Sequence, residues 1–280
     1  MKKKKIKGRI ARRKKKRMLK YLILFSIIIM GYSSIKIFLW TKDNYNINKE
    51  IEQLQKQVLK IETTNNDNQE EKKIENQEKS FNPYWDFTEE DYLQIDFSKL
   101  IEQNKETVAW IKVEKTNINY PIVQHKDNEY YLNHSFNKTE NNAGWVFMDY
   151  RNNIQNMGKN TIIYAHGRQD GTMFGSLKNS LKSKWYKDKN NHIIKLETKE
   201  ENTLWQVFSI YVIPTTNDYI QTQFETEEDF EKFINKITER SIYNFKNNVN
   251  KEDKILTLST CYNEKEKLVL HAKQIKVEKR

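Results

Sequence analysis

A single cysteine and only seven glycines are sparse for a chain of 280 residues. One thiol excludes an intramolecular disulfide framework and any zinc site that needs several cysteines. No P-loop, paired-glycine nucleotide fingerprint or His-Glu-x-x-His motif is present, and His125 and His134 have no obvious third partner for a metal. Apolar residues make up 37% of the chain. That is below the roughly 45–50% of an average globular protein counted with glycine, so part of the sequence lies outside any core. Acid is missing from one place. Residues 1–42 hold 15 of the 49 lysines and arginines and no Asp or Glu, whereas the remainder carries 34 basic and 38 acidic residues, a net of −4. The formal charge of +11 therefore belongs to a tail, and nothing supports a nucleic-acid-binding fold with a basic face.

The tail has a membrane-targeting layout. Twelve Lys/Arg in residues 1–17 run into an apolar stretch over 18–40. Its uncharged part, 21–35, is short of the ~20 residues of a spanning helix, but Lys20 and Lys36 can snorkel and Trp40 can lie at the far interface. This predicts a cytoplasmic basic tail (1–17), a transmembrane anchor (18–40) and an extracellular remainder. A cleaved signal peptide is the competing reading, since Gly31 and Ser33 are small, yet no convincing Ala-x-Ala-like site follows. Residues 41–80, rich in Asn, Gln, Glu and Lys, predict a stalk. Ile51, Leu54, Val58 and Ile61 fall at heptad spacing over too few repeats for a coiled coil. The expectation is a solvated helix fading into a disordered spacer.

From Phe81 to Arg280 the chain has five of its six tryptophans and enough length for one sizeable core. Short β-type runs recur at 108–113, 144–148, 161–164, 192–196, 203–213, 254–259 and 267–275, which predicts a mainly β domain, an antiparallel barrel or sandwich. A helix is predicted over 226–240, with Thr226 as cap, Glu227, Glu228 and Asp229 in the first turn and Phe230, Phe233, Ile234 and Ile237 as an apolar stripe. A second is expected over about 89–104.

Polar residues cluster at the ends of two β-runs: Tyr164-Ala-His166-Gly-Arg168 and Thr257-Leu-Ser-Thr-Cys261. Together they have the makings of a Cys-His site. A thiolate is the competent nucleophile, and a nearby imidazolium favours it while keeping a proton for a leaving amine. Taken singly, Cys261 reads equally as a small buried hydrophobe, His166 as a satisfied loop histidine, and His271, flanked by Leu270 and Ala272, as structural.

Thr257-Leu-Ser-Thr-Cys261, followed by Lys267-Leu-Val-Leu-His-Ala-Lys273, resembles the active-site strand pair of sortases, the cysteine transpeptidases that anchor proteins to Gram-positive cell walls. Asp127-Asn-Glu-Tyr-Tyr-Leu-Asn-His134, Ala143-Gly-Trp-Val-Phe-Met-Asp-Tyr-Arg-Asn152 and the segment 160–175 agree on the class B subgroup. The resemblance covers about residues 81–280. It implies a closed eight-stranded β-barrel with N-terminal helices and the 226–240 helix inserted between two late strands. It also implies Cys261 as nucleophile, His166 as general acid/base, and Asn128, Leu132, Tyr164 and Ser259 as lining of the substrate groove. Where the family has an essential Arg, this chain has Lys267, one mobile point charge in place of a planar fork. Arg168 and Lys265 are the other cations that could serve.

On that resemblance, a sorting signal similar to Asn-Pro-Gln-Thr-Asn is cleaved after Thr through a thioacyl-enzyme and passed to a peptidoglycan amine, with neither metal nor organic cofactor. The implied partners are surface proteins bearing the signal, the wall amine and, through the anchor, membrane lipid. A membrane-anchored Cys-His wall hydrolase and a catalytically silent scaffold are the alternatives.

Overall fold

The computed structural model describes residues 2–65 and 92–280, with side chains over 14–56 and 92–280. The spacer expected over 66–80 and the composition change at Phe81 lie outside the described residues. The chain divides into two compact units, Met1–Asn48 and Lys49–Arg280. Helix α1 (Lys2–Asn65) supplies most of the first. Its stretch within Lys14–Lys56 is long and apolar enough to cross a membrane, and the most apolar part is entirely unburied.

In the second unit the stalk expectation needs correction. Ile51 and Leu54 are buried, Gln55 Nε2 donates to the Asn119 carbonyl (3.0 Å), and the Asn137 N–H donates to Glu50 Oε1 (2.8 Å). Residues 49–56 are thus docked on the folded domain. The apolar spacing read as too short for a coiled coil has a core partner instead. The helix expected over 89–104 is also shorter. Residues 89–91 fall outside the described part and 92–96 are irregular, so α2 spans only Phe97–Gln103. Asp96 decides the boundary by capping, its Oδ1 accepting from Ser98 N at 3.0 Å. Upstream, the Leu93 N–H is held by Glu197 Oε1.

Eight strands follow: β1 (Thr107–Val113), β2 (Asn119–Val123), β3 (Phe147–Met148), β4 (Asn160–Tyr164), β5 (Ile193–Thr198), β6 (Glu201–Pro214), β7 (Ile255–Cys261) and β8 (Glu266–Lys279). They close into a barrel in the order β1-β2-β3-β4-β7-β8-β6-β5. Helix α3 (Ser183–Lys187) precedes β5, and α4 (Glu227–Glu239) is inserted between β6 and β7. The fold is the mainly β, eight-stranded architecture that the resemblance implies. Strand β2 was absent from the expected runs, and Pro121 lies inside it. The strand tolerates the missing N–H because it meets β3 only at Val123–Phe147 and so has one neighbour along most of its length. The run at 144–148 contracts to two strand residues. Gly144 is left-handed (φ 61°) and the Trp145 N–H is spent on the Tyr131 carbonyl.

Helix α4 forms as its sequence directs. Thr226 Oγ1 accepts from the Asp229 N–H (3.1 Å), a cap worth about 1 kcal/mol. Phe230, Phe233, Ile234 and Ile237 pack against Phe208, Tyr211, Ile255 and Val269 of the barrel wall and Tyr219 of the connection after β6. At roughly 1.5–3 kcal/mol for each fully buried large apolar side chain, that face rather than helix propensity holds α4 in place. The feature that matters for function is the parallel pairing of β4 with β7, which brings Tyr164 level with Ser259 and carries both strands out at the same rim.

Candidate active site

Beyond the paired residues the two strand ends stay together. The Thr260 hydroxyl donates to the Ala165 carbonyl (2.8 Å), and the next residue on each chain is His166 and Cys261. Gly167 seals the approach. A Cβ built there would come within 2.0 Å of the Cys261 carbonyl oxygen, so only glycine lets the backbone after His166 lie against the backbone of Cys261. Phe174 N–H donates to the His166 carbonyl (3.0 Å) and closes the loop from the other side.

Cys261 is exposed. His166 is half-exposed, and its Nε2 lies 2.7 Å from the Leu132 carbonyl. A carbonyl only accepts, so Nε2 bears the hydrogen. Nδ1, without a hydrogen-bond partner among the described residues, is the nitrogen left for proton exchange. Gly144 backs the ring, since a Cβ there would approach the His166 Cδ2 to 3.0 Å and two carbonyls more closely still.

Lys267 faces Cys261 across the β7–β8 ladder and donates from Nζ to Sγ at 3.0 Å. The other two candidate cations are placed differently. Arg168 is paired with Asp170 (2.8 Å) and donates to Thr172 Oγ1, and Lys265 is exposed in the β7–β8 turn. Of the three, Lys267 is the one whose charge meets the sulfur.

The expected groove residues gather on one side. Leu132 is 41% exposed and supplies the carbonyl that holds His166. Tyr164 and Asn128 are half-buried and converge on one carboxylate, Asp149, at 2.9 and 3.0 Å. Ser259 is the exception, only 4% exposed, with Oγ 3.0 Å from Oη of the likewise buried Tyr219. His125 and His134 stack on Tyr130, with centroids at 4.3 and 4.0 Å. Sequence reasoning missed Tyr219, Asp149 and Arg151. Tyr219 lies in a connection with no motif of its own. Asp149 and Arg151 stood inside a quoted segment, where an acid two residues before an arginine at a strand end was the available signal.

Known proteins resemble this chain in sequence and fold. A Sortase domain family model matches residues 111–275. Sortase B of Staphylococcus aureus is 39% identical over 192 residues, covering 67% of this chain and 78% of that protein. A crystal structure of a Bacillus anthracis protein similar to sortase B matches at 41% identity and TM-score 0.60, over 66% of this chain and 83% of that one. A Staphylococcus aureus sortase B–substrate complex matches at 33% identity and TM-score 0.68, over 84% of this chain and 99% of that one. The closed eight-stranded barrel thus agrees with sequence and structural relatives alike: the chain belongs to the sortase family of cysteine transpeptidases, class B.

Proposed function

We propose that Cys261, His166 and Lys267 carry out transpeptidation of a sorting signal similar to Asn-Pro-Gln-Thr-Asn. Cys261 gives its thiol proton to His166 Nδ1, making the ring an imidazolium, and Sγ of the resulting thiolate attacks the carbonyl carbon of the Thr residue. Lys267, already donating toward the sulfur, stabilises the oxyanion that develops beside it. The C–N bond breaks, His166 delivers a proton from Nδ1 to the departing amine, and a thioacyl-enzyme remains. An amine of a peptidoglycan cross-bridge then attacks that carbonyl, His166 takes its proton, and Sγ leaves as the substrate protein becomes wall-linked. Water in place of the amine gives hydrolysis. The apolar stretch over 18–40 anchors the enzyme with its basic tail in the cytoplasm and residues 81–280 outside. The observation that carries this reading is the 3.0 Å contact of Lys267 Nζ with Cys261 Sγ at the rim shared with His166.

Mass spectrometry of the full chain in detergent, incubated with an Asn-Pro-Gln-Thr-Asn peptide and an amine, tests it. The expected result is a thioester on Cys261 and a peptide–amine product, both lost in Cys261→Ala. Absence of both in the wild type across several sorting peptides rejects the proposal.

A further inference from the structure

Asp149, the residue after β3, is a buried charge that no step above uses. Its side chain is fully buried, and five donors converge on its two oxygens. Oδ1 accepts from the backbone N–H (2.9 Å) and Nε (2.8 Å) of Arg151. Oδ2 accepts from Arg151 Nη2 (2.7 Å), Asn128 Nδ2 (3.0 Å) and Tyr164 Oη (2.9 Å). Burial alone would raise its pKa, but the bonds from Arg151 and Tyr164 outweigh burial and hold the carboxyl below the usual carboxylate value.

An ionised carboxylate can only accept, so every neighbour has to turn a hydrogen toward it. Tyr164 commits its one phenolic hydrogen inward, and its oxygen is left with lone pairs alone for anything else. Burial and the Asp149 charge push the Tyr164 pKa up, so the phenol stays neutral. Asn128 points Nδ2 inward while its Oδ1 accepts from the Tyr150 N–H (3.0 Å), which leaves one amide hydrogen uncommitted. Arg151 Nη2 also donates to the Ile220 carbonyl (3.0 Å), next to the Tyr219 that meets Ser259. Three sequence-distant pieces of the rim are thereby tied to one carboxylate.

We infer that Asp149, held by Arg151, is a positioning residue that fixes the hydrogen-bond polarity of the groove beside Cys261, a donor at Asn128 and an acceptor at Tyr164, before substrate arrives. A peptide amide, which carries one acceptor and one donor, is the chemical class that matches such a pair. The inference rests on the transpeptidase reading and adds to it what orients the groove. In Asp149→Asn the new amide places two N–H groups among neighbours that are themselves donors, so at least one of them must turn away.

The test is steady-state transpeptidation by the full chain as wild type, Asp149→Asn, Tyr164→Phe and the double variant. Asp149→Asn raises KM for the sorting peptide roughly tenfold with kcat within about threefold, the signature of lost ground-state positioning. Alkylation of Cys261 by iodoacetamide keeps its wild-type rate. Tyr164→Phe costs much less in the Asp149→Asn background than in the wild type, because the two act as one unit. Arg151→Lys keeps the charge but loses the fork, and raises KM a fewfold. It serves in place of Asp149→Asn should that variant not fold. A merely structural Asp149 would lower Tm, leave KM of the folded protein unchanged, and give Asp149→Asn and Tyr164→Phe effects that multiply. Either unchanged KM in the folded variants or simple multiplication overturns the inference while wild-type turnover upholds the transpeptidase reading. A wild type without thioester or product overturns that reading, and the inference with it.

Discussion

Strand β7 has two histidines beside it, one near each end, and they live in opposite circumstances. His271 faces Thr257 across the β7–β8 ladder and is fully buried. Thr257 Oγ1 gives its hydrogen to Asn160 Oδ1 (2.7 Å), so the His271 Nδ1 at 2.9 Å has to donate to it, and Nε2 accepts from Tyr211 Oη at 2.9 Å. Both ring nitrogens are spent, and burial, then the Arg240 charge, lower the pKa to about 3. Four residues along, His166 keeps one nitrogen on a carbonyl and the other uncommitted, half-open to solvent. The same side chain is a structural pin where its valences are closed and a candidate proton carrier where one is left open. Position along the strand decides which, because the barrel is packed at Thr257 and ends at Cys261.

Exchanging the fates of these two residues gives the largest expected effect. His166→Gln lowers kcat/KM by ~10²–10⁴ with little change in Tm. His271→Phe leaves kcat/KM of the folded protein within about threefold but strips Thr257 and Tyr211 of a buried partner, at a cost of about 1–3 kcal/mol in urea unfolding. A large activity loss in His271→Phe at unchanged stability would dissolve the contrast. Next comes the cation beside the sulfur. Lys267→Ala lowers kcat by ~10²–10³, in the range for losing one oxyanion donor, and Lys267→Arg yields more product than the wild type if a fork holds the substrate better than a point charge.

The pH dependence of stability sharpens the comparison further. The folded pKa of His271 is about 3 and that of His192, lowered by burial, is about 4, both below the ordinary 6.5. Their contribution is therefore complete above pH 6.5 and is lost as the pH falls toward those values. Urea midpoints measured from pH 8 to pH 4 decline accordingly, and His271→Phe flattens the decline. Glu197 works with the opposite sign and gives the smallest effect. Burial, opposed by the Leu93 N–H, raises its pKa to about 7 from 4.5, so its contribution is present below pH 4.5 and lost as the pH rises through 7. Glu197→Gln should raise stability by ~1 kcal/mol at pH 8 and leave it unchanged at pH 4.

The barrel was largely legible because most of its strands read locally. Thr161-Ile-Ile-Tyr164 and Lys254-Ile-Leu-Thr-Leu-Ser259 declare themselves by composition, and α4 by its cap and stripe. What misled was context. Strand β2, missing from the expected runs, accommodates Pro121 because it has one neighbour along most of its length. Ile51 and Leu54 looked too few for a coiled coil because their partner is the folded domain, not a second helix. At the rim, His166 and Cys261 could be singled out and paired as strand-end residues, but their roles came from resemblance. Asp149 carried one local signal, an acid two residues before an arginine at a strand end, and that signal says nothing of its partners. The role inferred for it needs chain segments near 128, 150, 164 and 220 to meet, and no local pattern encodes that meeting.

Gly167 gives the rim a clearance set by subtraction. Because the hydrogen there occupies the space that a methyl group would need 2.0 Å from the Cys261 carbonyl, the span between imidazole and thiol is gauged by backbone against backbone, not by flexible side chains. A gauge of that kind has no slack to tune. Side chains on either side can be exchanged for others of different reach, but one added carbon at position 167 would wedge the β4 and β7 ends apart and move His166 and Cys261 at once.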